Sequence, residues 1–210
     1  MKTKIHHFVL GAFVCGSFLA TSCGGGDKAK ETKEKAPEKD TVDTVAKVEE
    51  PKLYQGYQVN EKDFPATVYV STKKEKMGFD KLEAFFGKHF PAIYELSGKA
   101  GHSPAGPTVA VYYVWDTIAK TTELQAAVPV VANGEIKIKG YEKLEIPASK
   151  CLHIEYYGAY EKIGPAHMAM DEYMAEKGLT QKMVLEEYVT DPGAEPDTSK
   201  WLTNVFYIIE

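Results

Sequence analysis

Val184-Leu-Glu-Glu-Tyr-Val-Thr-Asp191 decides how this chain is read, because an earlier segment, Val109-Ala-Val-Tyr-Tyr-Val-Trp-Asp116, repeats it. The two stand 75 residues apart and agree at four of eight positions. Both are rich in β-branched and aromatic residues, so each predicts a strand. Each is followed by a polar loop and a second strand, Thr122–Val130 in the first copy and Trp201–Ile209 in the second. Each is also preceded by a strand and a helix. Ala66–Thr72 leads to a helix from about Gly78 to Leu96, and Lys150–Tyr157 to one from about Tyr160 to Lys177. The helices carry apolar residues three and four apart: Leu82, Phe85, Phe86 and Phe90, then Ile163, Met170, Tyr173 and Met174. Gly178 is placed to end the second helix, whereas Pro91 predicts a kink or a break in the first.

The expected fold is therefore α+β. Two pseudo-symmetric strand–helix–strand–strand units, about 64–131 and 146–210, bring antiparallel sheets together around a concave ligand seam. Between the halves, Asn133-Gly134 is a tight-turn signal, and its flanks Val128–Val131 and Glu135–Lys139 predict a hairpin extension.

Outside the repeat, residues 1–22 resemble a lipoprotein signal peptide. Basic and polar residues precede an apolar run from Phe8 to Ala20, too short to span a bilayer comfortably. The run ends in Leu19-Ala20-Thr21-Ser22-Cys23, which is similar to the lipobox whose cysteine is acylated. Acyl chains on Cys23 would anchor the protein to a membrane. Residues 23–51 start with three glycines and continue in Lys, Glu, Asp, Thr and Pro, a composition with almost nothing to bury. They predict a disordered tether, leaving 52–210 as one domain. No aspartate follows Cys23, which in lipoprotein sorting points to an outer-membrane anchor facing the periplasm.

A net charge of −5 indicates no polyanion partner, so no nucleic acid is expected. Within the domain Cys151 is the sole cysteine and reads as a packed thiol. His89, His102, His153 and His167 form no paired ligand motif, so neither metal nor cofactor is expected. His167 lies on the apolar face of the second helix, where packing accounts for it.

Glu186 is the unusual residue. Carboxylates are depleted from strands and costly to bury unpaired. The two-residue period puts Glu186 and Tyr188 on one face. The 75-residue repeat sets Val111 opposite Glu186, Tyr113 opposite Tyr188 and Trp115 opposite Thr190. One face would then offer Glu186, Tyr188, Tyr113 and Trp115, an acid among aromatic rings suited to a cation or a flat apolar molecule.

The domain resembles the GyrI-like proteins, a family that includes effector-binding domains of transcription activators. The likeness rests on Tyr157-Gly158-Ala159-Tyr160-Glu-Lys-Ile-Gly164, on Leu185-Glu186-Glu187-Tyr188-Val-Thr-Asp191-Pro192, on Trp201-Leu202-Thr203, and on Thr122-Glu123 through Val130. It covers Phe64–Ile209. Asn204 departs from it, standing where glutamate usually follows the threonine, and the first half lacks the Gly-x-Tyr approach to its helix. The resemblance implies a small-molecule pocket with Glu186 as its acid. No helix-turn-helix precedes the domain, so DNA binding is not carried over. A hydrolase of strained, cyclopropane-type electrophiles using Glu186 is the alternative that the same family suggests. A protein-docking module of the envelope is a further one.

Overall fold

The computed structural model describes residues 51–210; the signal segment, Cys23 and the tether up to Glu50 lie outside the described residues. Ten strands and two helices follow one another: β1 Asn60–Phe64, β2 Thr67–Ser71, β3 Glu75–Gly78, α1 Leu82–Lys99, β4 Ser103–Pro104, β5 Thr108–Asp116, β6 Thr121–Val131, β7 Glu142–Ile146, β8 Ser149–Tyr157, α2 Gly164–Lys177, β9 Gln181–Tyr188 and β10 Leu202–Ile209. Among the described residues no helix is long and apolar enough to cross a membrane.

The expected halves are present as β2-α1-β5-β6 and β8-α2-β9-β10, and they join edge to edge. The antiparallel sheet runs β1-β8-β10-β9-β5-β6-β2-β7, with β5 against β9 at the middle. β1 pairs with β8 and β2 with β7, so two bent ribbons, kinked at Pro65-Ala66 and Pro147-Ala148, lie against each other along their length. Proline donates no ladder hydrogen bond, which is why the kinks fall there. The ribbons draw the outer edges together and curl the sheet into a half-barrel.

Each face of the sheet has its own core. Val109, Val111, Leu185, Ile208, Tyr69 and Cys151 fill the inner face, where burial pushes the Cys151 thiol up. The helices cover the other face. α1 packs on β6 and β2, and α2 on β8 and β10, so the central pair β5–β9 is left between them. That gap is what makes a groove.

Two local expectations change. Pro91 does not divide α1, which runs unbroken through it. The predicted hairpin extension does not form: residues 135–139 are irregular, and Ile136, Ile138 and Tyr141 pack on the core instead. Burying those apolar groups outweighs the local turn preference of Asn133-Gly134. β7 follows, pairing with β2. α2 does end at Gly178, in a left-handed conformation with φ of 66°.

Candidate functional site

Glu186 lies near the C-terminal end of β9, flanked across the ladder by Ala110 of β5 and Val205 of β10. Small neighbours on both sides leave room above its carboxylate. The side chain is buried, with Glu186 only 8 % exposed, yet it is not stranded. Tyr188 Oη donates to Oε2 at 2.6 Å, and His167 Nε2 on α2 lies 3.0 Å from Oε1. His167 Nδ1 lies 3.1 Å from Tyr207 Oη on β10. Partners at both oxygens hold the carboxylate in one orientation. Tyr112 and Tyr188 have phenol pKa values well above the ordinary range, first through burial and then through the Glu186 charge beside them. Both therefore stay protonated, and Tyr188 keeps the proton that it donates to Glu186.

Above this floor is a cavity of about 1260 Å³. Aromatic rings form its walls. On α1, Phe86 and Phe90 stack at 4.9 Å, and both stand edge-on to Tyr188. From the other side Tyr160 approaches Tyr188 to 5.0 Å and packs against Trp201. At one end Phe79 stacks on Trp115 at 4.2 Å. The cavity opens to solvent, since Trp115 is 53 % exposed, Tyr94 42 % and Val189 41 %. Its charged lining residues are Glu83, Glu161, Glu186 and Asp191; none of the lining residues is Lys, Arg or His. Pro91 has no N–H to return to the Gly87 carbonyl, and both residues line this wall.

Local sequence sets these positions. Gly158, at φ of 152°, closes the approach to Tyr160; a Cβ there would meet Tyr156 Oη at 2.4 Å. Tyr156 Oη is itself held by donating to the Ala159 carbonyl at 2.8 Å. Trp201 Nε1 donates to the Glu195 carbonyl at 2.7 Å, fixing the indole beside Tyr160.

Of the residues expected on one face, Glu186, Tyr188 and Trp115 line the cavity together. Tyr113 does not. It lies on the inner face, donating to Gln125 Oε1 under the ammonium of Lys74. A bulge between Tyr112 and Val114 inserts one residue into β5 and switches the faces beyond it. Tyr112 and Trp115 consequently share the cavity side, 5.5 Å apart, and Tyr112 occupies the place expected of Tyr113. Val111 is likewise not the counterpart of Glu186. It pairs with Leu185 on the inner face, and Ala110 stands across from Glu186. The sequence repeat has an odd offset, and an odd shift along a strand reverses every side chain.

His167 was legible only as a polar residue on an apolar helix face; its bond to Glu186 comes from the packing of α2 on the sheet. Asn204, the departure from the family pattern, works on the inner face. It donates to Glu187 Oε2 at 2.7 Å, and its Oδ1 lies 3.2 Å from His153 Nε2. Neighbouring glutamates thus serve opposite faces.

The sequence pattern of the GyrI-like small molecule binding domain matches residues 57–208. The chain belongs to the GyrI-like family. A search of curated proteins finds no match. Among solved structures, the domain is similar to the crystal structure of the EcmrR C-terminal domain, with a TM-score of 0.62 and 17 % identity over 73 % of this chain and 98 % of that one. It is also similar to EcmrR in a cryo-EM complex with DNA, with a TM-score of 0.63 and 18 % identity over 73 % of this chain; it spans 57 % of the length of that EcmrR chain. A conserved protein from Listeria innocua gives a TM-score of 0.55 at 12 % identity, over 72 % of this chain and 92 % of that one. At these identities the likenesses establish the fold of the GyrI-like domain.

Proposed function

We propose that this GyrI-like protein is a membrane-anchored, periplasm-facing module that binds small, flat, lipophilic cations in the groove between its helices. The observation that carries this reading is a buried, hydrogen-bonded carboxylate beneath aromatic walls, in a cavity lined by four acids and no basic side chain. A cation entering it meets Glu186 below and ring faces at the sides, and each ring contact contributes about 0.5–2 kcal/mol. At about 1260 Å³ the cavity exceeds the usual range for a drug-sized ligand, which favours a family of related molecules over one shape.

Titration with ethidium, a flat and permanently charged dye, tests the assignment by fluorescence and thermal shift. Saturation at 100 times Kd should add about 2.7 kcal/mol to stability. Glu186→Gln should weaken ethidium binding about 30-fold, roughly 2 kcal/mol, because it removes one buried charge and leaves the shape of the groove. Equal affinity in both proteins would refute the role of the acid.

The anchor rests on the lipobox-like Leu19–Cys23 sequence. Cys23→Ala should abolish labelling by radioactive palmitate and move the protein out of the membrane fraction. Retention of both label and fractionation would remove this part of the reading.

A further inference from the structure

Glu186 does not face its ligand alone. Behind it stands His167, a titratable ring that lines no part of the cavity. We propose that His167 is the specificity-determining partner of Glu186: neutral, it leaves the carboxylate charge to a cationic ligand, and protonated, it supplies an internal cation that competes with that ligand. Capture of a cation is then coupled to loss of a proton from His167. This rests on the groove being a cation site, as proposed above.

The geometry supplies a hydrogen-bond pattern for both states of the ring. When neutral, Nε2–H donates to Glu186 Oε1 and Nδ1 accepts from Tyr207 Oη, matching the 3.0 and 3.1 Å separations. When protonated, both nitrogens donate, and the Tyr207 hydroxyl turns to the Asp171 carboxyl beside it. The change of state breaks no bond to the ring. It only reverses one hydroxyl, so charge is what differs.

That charge acts at short range in a poorly solvated place, the side chains of His167 and Glu186 being 25 % and 10 % exposed. Ion pairs held away from water interact far more strongly than surface pairs. The titratable groups facing His167 are Glu186 and Tyr188 from β9, Tyr112 from β5, Tyr207 from β10 and Asp171 from α2 itself. From β8 the titratable residue in the core beneath the helices is Tyr156, whose hydroxyl is held by Ala159. The segment before β1 engages the outer side of α2 through Gln55 with Glu172 and Tyr54 with Tyr173. None of these facing groups is a lysine or arginine, so among them His167 is the one that can become a cation beside Glu186. Imidazole is also the side chain that ordinarily changes charge between about pH 5 and 8.

The experiment compares ethidium with Nile red, a flat neutral dye, across that range. In the wild type, ethidium affinity should fall about tenfold or more from pH 8 to pH 5.5, by proton linkage. Nile red affinity should change less than about threefold, since it does not compete for the charge. His167→Gln keeps an N–H for Glu186 but does not titrate, so its ethidium profile should flatten to within about threefold. In the wild type, NMR of the imidazole should show His167 titrating at lower pH when ethidium is bound, because linkage is reciprocal. That measurement stands even if the variant does not fold.

Ethidium binding that needs Glu186 but follows one pH profile in wild type and His167→Gln overturns this inference alone. So does a His167 titration that ethidium leaves unmoved. Failure of ethidium to bind at any pH overturns the cation site and this coupling with it.

Discussion

The two halves of this domain share a fold and divide the work. At the pseudo-two-fold centre, Ala110 of the first half stands directly across from Glu186 of the second. The aromatic neighbours are matched, Tyr112 in one half and Tyr188 in the other, both beside the carboxylate. The first half also contributes the ring wall of α1, and the second contributes His167 and Tyr160. The difference teaches why the acid is single. Residues directly opposite in a ladder have Cβ atoms about 5 Å apart, and two buried carboxylates at that distance cannot both stay ionised. A duplicated scaffold therefore keeps its acid in one copy and leaves a small residue in the other.

Restoring symmetry is the strongest way to break this arrangement. Ala110→Glu should destabilise the domain by about 3 kcal/mol at pH 7, by burying an unpaired charge against Glu186. Urea denaturation checks this, and much of the loss should return at low pH as one of the two acids takes up a proton. A variant as stable as the wild type at pH 7 would mean that the groove floor is wetter than its packing indicates.

The matched tyrosines give a second, smaller effect. Burial and the Glu186 charge raise the Tyr112 and Tyr188 pKa values in the folded protein, and burial likewise pushes Tyr113 up to about 12. A raised phenol pKa means that the fold prefers the neutral form. That stability is present in full below the unfolded value of about 10 and is lost as pH rises through the folded value. Denaturation midpoints should thus fall from pH 10 upward, together with tyrosinate absorbance, and Tyr188→Phe should soften the fall.

The smallest effect sharpens the comparison most. Tyr113→Phe should leave ethidium affinity within about 0.5 kcal/mol of the wild type, since the ring lies on the inner face. A loss comparable to that of Glu186→Gln would place Tyr113 at the ligand after all and contradict its place on the inner face with Val109 and Val111.

How much was legible in the sequence follows from the range of each signal. Strand and helix positions were readable because alternation and three-to-four spacing are local, and Gly178 ends α2 because a left-handed turn suits glycine. Glu186 stood out because an acid inside an apolar strand is improbable without a purpose. Tyr112 is hidden because the odd offset of the repeat aligns Tyr113 with Tyr188, and the one-residue bulge that returns Trp115 to the Tyr112 side leaves no mark in an aromatic-rich strand. His167 was passed over because a helix face cannot announce which strand it will cover.

The sequence by itself thus determined a paired α+β domain, its duplicated halves and a single acid on a central strand. Only the tertiary structure decided which face that acid shares, that Ala110 is its opposite number, and that His167 stands behind it. The first set depends on periodicities that a chain carries along its own length. The second depends on register and on packing between segments far apart in sequence, where a shift of one residue exchanges the groove for the interior.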